Sequence, residues 1–545
     1  MRAWLRNLLF LGLCLGGVAW VMLRVMGPLE VEDRDGLDLS AWEDPGFREA
    51  VLRVDRAFEG AWADASLEPV SRVSDLVLAR RLSLALAGTV PSLEELRALE
   101  GQAEGNRLAW WVEHLFADRR QADYLAERFA RMMVGVEDGP FIVYRRHRLV
   151  SWLSDQFMAN RPYDELVREL ITAEGVWTLN PAANFLTVTV DQNNEEEGPD
   201  QVKLAGRVSK AFLGVRLDCV ECHDDFLGDE WKQENFHELA AFFAEPEMSM
   251  TGVRDTVGRE HRVRYRGEIE EVAVEARVPF HGELLPEEGP LRERLATWVT
   301  HPENPACARA VVNRIWALLL GRPLLEPVDS IPLEGPFPAG MEELAEDLTS
   351  SGFDLRRLIR VIVASRVYQL DSCSGDPGGP VTKEQEEALA AFPLTRLRPE
   401  QIAGSVLQSS NLKTVDASSH VLVRVTRFFQ QNDFLKRYGD AGEDEFGQVG
   451  GTIPQRLVLM NGQLVHERTK EDLVMNAATR IAALAPDDAT AVETAYLAVL
   501  TRRPTRAEAE HFVASFSADA GRKRAELLED LYWVLLNSTE FSWNH

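Results

Sequence analysis

Residues Leu78–Leu99 read LARRLSLALAGTVPSLEELRAL. Leu76, Ala79, Leu82 and Leu86 recur at helical spacing, which predicts a helix with one apolar face. The run AGTVPS, Ala87–Ser92, stops it with Gly88 and Pro91. Ser92 then opens a second helix, and Glu95, three residues on, completes a capping box. The unit is therefore helix, short turn, capped helix. Near the other end, Ala495–Phe516 reads AYLAVLTRRPTRAEAEHFVASF and repeats the plan, with Thr505 and Glu508 in the places of Ser92 and Glu95. Two helices joined by a good cap explain the likeness without an ancient repeat. With this unit near both ends, the chain reads as mainly α.

Outward from this unit the periodicity predicts helices over Pro45–Ala63, Leu108–Phe116, Gln121–Met133, Arg146–Phe157 and Tyr163–Ile171. An acidic loop near 191–200 interrupts the pattern. The stretch 201–223 is expected to resume as a helix that delivers Cys219 and Cys222. Residues 231–243 follow as another, with Phe236, Leu239, Ala240 and Phe243 on one face. Between 252 and 284 the period changes to two, and HRVRYRGEIEEVAVEARVPF predicts two strands of an antiparallel hairpin. Helical patterning returns from 289 onward, broken by loops at 323–340, 371–381 and 437–452. The expected organisation is an N-terminal membrane-anchoring helix or signal anchor (1–26), an acidic linker with a short helix (27–72), a helical domain (73–251), a β-hairpin connector (252–288) and a second helical domain (289–545).

The chain has 545 residues, too many for a single core by size alone. Its 45% hydrophobic and 27% charged residues are those of an ordinary folded protein. A formal net charge of −28 argues against nucleic acid as a partner, because phosphate binding needs clustered Lys and Arg. Arg2 and Arg6 precede an apolar run from Leu8 to Leu23, and no small-x-small cleavage site follows. An uncleaved anchor is expected, with the basic flank in the cytoplasm and the body, beyond the acidic EVEDRDGLD, outside. The expected location is an inner membrane with the body periplasmic or extracytoplasmic, the membrane being contacted through this helix. Five cysteines are too few for a disulfide scaffold. Cys307 and Cys373 are expected to be free buried thiols rather than a pair.

Cys219-Val220-Glu221-Cys222-His223 spells C-x-x-C-H. Two thiols one helical turn apart can add across the vinyl groups of a haem, and the adjacent histidine reaches the iron as proximal ligand. Three readings compete. A redox dithiol needs a strand-to-helix setting, and the flanks here are helical. A zinc site needs four ligands, and Asp224, Asp225 or His237 would have to complete it. A disulfide across two residues is strained. Export favours haem, one per chain. For a distal ligand the candidates are Met248, Met250 and His237; packing roles are the ordinary explanation of each.

Asp224, Asp225, Asp229 and Glu230 form a carboxylate group beside the motif, of the kind that binds a cation or simply faces solvent. Asn313, Arg314 and Trp316 are candidates to line a pocket or to fix a helix by packing. No nucleotide-binding, zinc-protease or nucleophile-elbow motif is present.

LARRLSLALAGTVPSLEELRALE, NRPYDELVRELITAEG and AFLGVRLDCVECHDDF with WKQENFHELAAFFAE resemble the planctomycete cytochrome-like PSCyt2 (DUF1549) domain. LATWVTHPENPACARAVVNRIWALLLGRPLLEPVDSI, SGFDLRRLIRVIVASRVYQL, LRPEQIAGSVLQSS, TIPQRLVLMNGQLV and LEDLYWVLLNSTEFSWNH resemble its companion PSD1 (DUF1553). The resemblance implies a secreted or anchored cytochrome-like protein without a settled activity. Relatives often continue the motif as C-H-D-H or C-H-N-H; Asp225 stands here instead of that second histidine. The expected function is a c-type haem protein in extracytoplasmic electron transfer or substrate oxidation, with an unidentified redox partner. The alternatives are a cell-surface binding or scaffold protein, polysaccharide-related, whose C-x-x-C is a structural or redox disulfide, and a metal-dependent hydrolase.

Overall fold

The unit at Leu78–Leu99 forms as its sequence dictates. The helix Asp75–Ala87 is capped by Ser74, whose hydroxyl accepts from the amide of Val77, and it ends at Gly88 in the left-handed region (φ 67°). Ser92 and Glu95 exchange both hydrogen bonds of the capping box, at 3.1 and 2.8 Å, and open the helix Leu93–Glu100. The distant copy does the same. The helix Asp488–Leu500 ends at Thr501, also left-handed (φ 59°), and Thr505 and Glu508 cap the helix Arg506–Ala518. The two units touch: Arg503 Nη2 lies 2.5 Å from Glu100 Oε1.

This computed structural model describes residues 36–545 except 137–138, 140–142, 192–197, 218–230, 250, 266–267, 375–378, 417–429, 432, 440–445, 447–451, 474–475 and 519–520, together with Gly12 and Gly16. The protein is mainly helical. Helices Pro45–Asp64, Arg107–Ala117, Arg119–Val134, Arg146–Met158 and Tyr163–Thr172 stand within two residues of the expected bounds. Among the described residues no helix is long and apolar enough to cross a membrane. The expected anchor at 1–26 lies outside them, apart from the two glycines.

Strands are short. β1 (Pro246–Ser249) pairs antiparallel with β2 (Gly252–Asp255), with Met248 opposite Val253. The expected hairpin follows as β3 (His261–Val263) and β4 (Val272–Val274), with His261 opposite Val274. Its paired part is shorter than the alternating pattern because only one face of β3 meets the helices; β4 is largely exposed. β5 (Thr395–Arg396) pairs with β6 (Trp543–Asn544).

The two helical halves, separate in sequence, share one continuous core in space. Phe58 of the first half stacks on Trp316 of the second at 5.5 Å and 11°. Segment 70–73 runs against 369–371: the amide of Val73 donates to Gln369, and that of Asp371 to Ser71. The helix Pro399–Ser409 presses on the Gly88 turn so closely that a Cβ on Gly404 would lie 2.5 Å from the Gly88 carbonyl oxygen.

Arg80 and Arg81, the arginines of LARRL, are wholly buried. Arg80 donates to the carbonyls of Val499 and Phe541. Arg81 donates to those of Tyr368, Leu370 and His545 and covers the Phe392 ring at 3.6 Å. Burial lowers their pKa values to about 10 and about 9, yet both remain cations at neutral pH. Carbonyl dipoles from the second half replace the water these charges give up.

A second buried ionic group sits inside the first half. Glu95 is hydrogen-bonded to Arg120 and to His114, and Arg120 also reaches Asp118 at 2.7 Å. The capping residue of one helix is thus the hydrogen-bonded partner of two others.

Candidate functional site

The motif segment is held at both ends by described residues. On the entering side, Asp200 caps the helix Gln201–Val208, accepting from the amides of Val202 and Lys203. The helix widens into a π turn over Ser209–Leu213 and stops at Gly214, φ 65°. The expectation that it continues to Cys219 is corrected here. Gly214 packs against the helix Pro305–Leu320, and a Cβ on it would meet Ile331 Cδ1 at 3.0 Å and Ala310 Cβ at 3.2 Å. Only glycine supplies both the left-handed turn and that close approach. The chain then leaves the helix axis and runs non-helical to Leu217, which is fully buried.

Three contacts pin this exit to the second half. The Gly214 carbonyl accepts from the amide of Ile331 at 2.7 Å. Arg216 holds the buried carboxylate of Asp329 through Nε at 2.8 Å and Nη2 at 2.7 Å. Lys210 stands 3.7 Å from the other oxygen of Asp329. On the returning side, the Trp231 ring lies 6.3 Å from that of Phe280, and Asn235 accepts from the amide of Lys232 to begin the helix Gln233–Ala240. Cys219, Cys222, His223, the carboxylates Asp224, Asp225, Asp229 and Glu230, and Met250 lie outside the described residues.

The helices on either side of the segment, Gln201–Val208 and Gln233–Ala240, pack on each other. Between them lies a chain of three polar side chains. His237 (4% exposed) faces His261 (6% exposed), with 3.1 Å between His237 Nδ1 and His261 Nε2. The other nitrogen of His261, Nδ1, is hydrogen-bonded to Gln201 Oε1. The ring of Tyr265 meets His237 edge-on at 5.7 Å. The His237 and His261 ring centres are 5.3 Å apart and their planes are inclined by 24°. Two imidazoles joined head-on across such a contact have centres about 5.4 Å apart by simple hydrogen-bond geometry. The pair is drawn as an in-line hydrogen bond.

Proton placement follows. Gln201 Oε1 can only accept, so His261 carries its proton on Nδ1. Burial, reinforced by the neighbouring His237, lowers the His261 pKa to about 4, so it stays neutral and its Nε2 is an acceptor. His237 then donates through Nδ1.

Of the other candidates, Met248 sits half-buried on β1 and packs against the core. Asn313 donates to the carbonyls of Leu325 and Val328 and accepts from the amide of Leu325, so it clamps the loop after its own helix. Trp316 and Arg314 are buried in the same helix, Trp316 against Phe58. Asn313 and Trp316 hold structure. Cys307 is buried and Cys373 exposed, and both are free thiols, so the expectation of two buried thiols holds for the first alone. Among the described residues no group of three or more His, Cys, Asp or Glu side chains is placed to hold a metal ion. His261 and Gln201 were not singled out in the sequence. The period-two pattern EHRVRYR marks His261 as the inward position of its strand, which is the signal that finds it.

Residues 53–247 match the family model described as PSCyt2, a protein of unknown function (DUF1549), and residues 291–424 match that of PSD1, likewise of unknown function (DUF1553). His237 falls within the first match and His261 in the connector between the two. No curated protein and no solved structure matches the chain.

Proposed function

The chain belongs to the proteins in which a PSCyt2 (DUF1549) region is followed by a PSD1 (DUF1553) region. On that premise we propose an exported, membrane-anchored protein carrying one covalently attached c-type haem, at work in extracytoplasmic electron transfer or substrate oxidation. Cys219 and Cys222 would give the thioether sulfurs and His223 the proximal imidazole. The observation that carries the reading is the C-x-x-C-H motif within a segment anchored at both ends, joining two packed helices that enclose a hydrogen-bonded histidine pair.

The donor chemistry of the described residues fits such a group. A free divalent ion needs three or four protein ligands, whereas haem iron takes one protein atom at each axial position. His237, buried on the helix that follows the segment, is an imidazole of the kind such an iron takes. When bound, the haem supplies reversible one-electron chemistry. The protein's own contribution is to fix and to exclude water. Arg216 and Lys210 on Asp329, with Gly214 against Ala310, hold the entry to the segment on the rigid second half. Trp231 and Phe280 cover its return.

Two measurements on full-length protein, made in a host with haem-maturation machinery, test this. The first is the absorption spectrum with intact mass: a Soret band and a covalent haem mass are expected, and colourless protein overturns the reading. The second is a thiol titration in denaturant. Of the five cysteines, three should react with or without reductant if two are thioethers. A rise from three to five on reduction identifies a disulfide, and five without reductant identifies free thiols; either result favours the binding or scaffold role over haem.

A further inference from the structure

We propose that the cleft between residues 433–438 and the corner at Gly462 binds a neutral, hydroxyl-rich ligand the size of one sugar ring. The inference is independent of the haem reading. The cleft lies in the second half, C-terminal to the stretch matched by the PSD1 model.

Its cavity volume is about 230 Å³. The floor is apolar, with Phe434 and Leu464 buried and Val458 half-buried. The helices Ile453–Asn461 and Gln463–Thr469 meet at Gly462, where a Cβ would collide with the carbonyl of Val458. The rest of the lining is polar. Glu467 accepts from Gln430 Nε2 at 2.8 Å on one oxygen and from Gln463 Nε2 at 2.5 Å on the other. The buried Arg468 donates to Gln430 Oε1. Asp433 pairs with Arg437 at 3.1 Å.

The groups left uncommitted in this lining define the ligand. Two carboxylates are offset by two guanidiniums, so a charged ligand would have to displace a partner already in place. Among the described residues, Gln463 keeps Oε1 and one N–H, Gln430 one N–H, Asp433 one oxygen and Arg437 its Nη groups. An apolar ligand would cover these without pairing them, at a cost. A hydroxyl both donates and accepts, so it pairs with either kind. Both glutamine amides are held by Glu467 before any ligand arrives, which lowers the cost of ordering them. The volume falls below the roughly 300–1,000 Å³ of drug-sized sites, and the apolar floor suits the C–H face of a single ring.

The test is saturation-transfer NMR on the full chain, kept in a detergent without a sugar headgroup. The probes are the methyl pyranosides of glucose, galactose, mannose, xylose and fucose. At least one should bind, with an affinity unchanged by salt between about 20 and 500 mM, as a neutral ligand requires. Gln463→Ala, at an exposed position, should weaken it about fivefold to tenfold, with the circular dichroism unchanged. No binding by any of these probes overturns the proposal. So does binding that Gln463→Ala and Asp433→Ala both leave intact, which places the sugar elsewhere. Tighter binding of lysine methyl ester, acetate or N-acetylalanine amide than of any pyranoside overturns the ligand class.

Discussion

Arg81 Nε donates to the carbonyl of His545 at 2.7 Å across 464 positions of sequence. The same guanidinium satisfies Tyr368 and Leu370, so one side chain of the first half ties three points of the second. Arg81→Leu leaves those carbonyls buried without a donor. It should lose about 3 kcal/mol or more of stability, read as a lower urea midpoint.

A shared core should also unfold as a unit. Trp62 and Trp111 lie in the first half, Trp298 and Trp316 in the second, and all four are fully buried. Denaturation followed by tryptophan fluorescence and by far-ultraviolet circular dichroism should give coincident single transitions. Two resolved transitions would mean that the halves are independent.

Gly404→Ala places a methyl group against the Gly88 carbonyl. Overpacking of this kind costs about 1–3 kcal/mol, so the melting temperature of a cooperative unit this large should fall by about 1–3 °C. Gly105→Ala, with open space around its Cβ, is the control and should leave it unchanged.

Glu95 gives a pH dependence of definite sign. Burial by itself would raise its pKa, but Arg120 and His114 outweigh burial and hold it far below the usual carboxylate range. A carboxyl depressed in the folded state stabilises above its unfolded value, about 4.5 for this side chain. That stabilisation drains away as the pH falls below it. Glu95→Gln should be less stable than wild type by about 2–4 kcal/mol at pH 7, and the gap should narrow steadily below pH 4.5 in chemical denaturation.

Cys373 is exposed and Cys307 fully buried, with burial pushing the Cys307 thiol up to about 12. A maleimide should label Cys373 in the folded protein within minutes and reach Cys307 only in denaturant, as peptide mapping by mass will show. Rapid labelling of Cys307 under native conditions would contradict the packing around the helix Pro305–Leu320.

Local signals in the sequence were sufficient where the physics is local. The capping boxes of Ser92 and Thr505, the turn at Gly88 and the alternation around His261 each depend on neighbours a few residues away, and each element formed as read. The helix into the motif was misjudged because its end is set by a distant contact. Gly214 must turn left-handed to pack on Ala310 and Ile331, and nothing between residues 201 and 223 announces those partners. The same limit hid the His237–His261 bond, whose two rings come from a helix and a strand that alternate with different periods. Arg80 and Arg81 look like solvent-facing arginines on an amphipathic helix; their carbonyl partners are hundreds of residues away.

The distance between those arginines and their acceptors bears on the order of events during synthesis. A ribosome releases Arg80 and Arg81 long before Val499, Phe541 and His545. Until Val499 and Phe541 emerge, Arg80 lacks both of these carbonyl acceptors, and Arg81 lacks that of His545. The first half therefore lacks groups that satisfy its buried cations until the second half has been made. For the exported protein proposed above, such a delay would keep the chain open and threadable in transit and commit it to its final shape only on arrival.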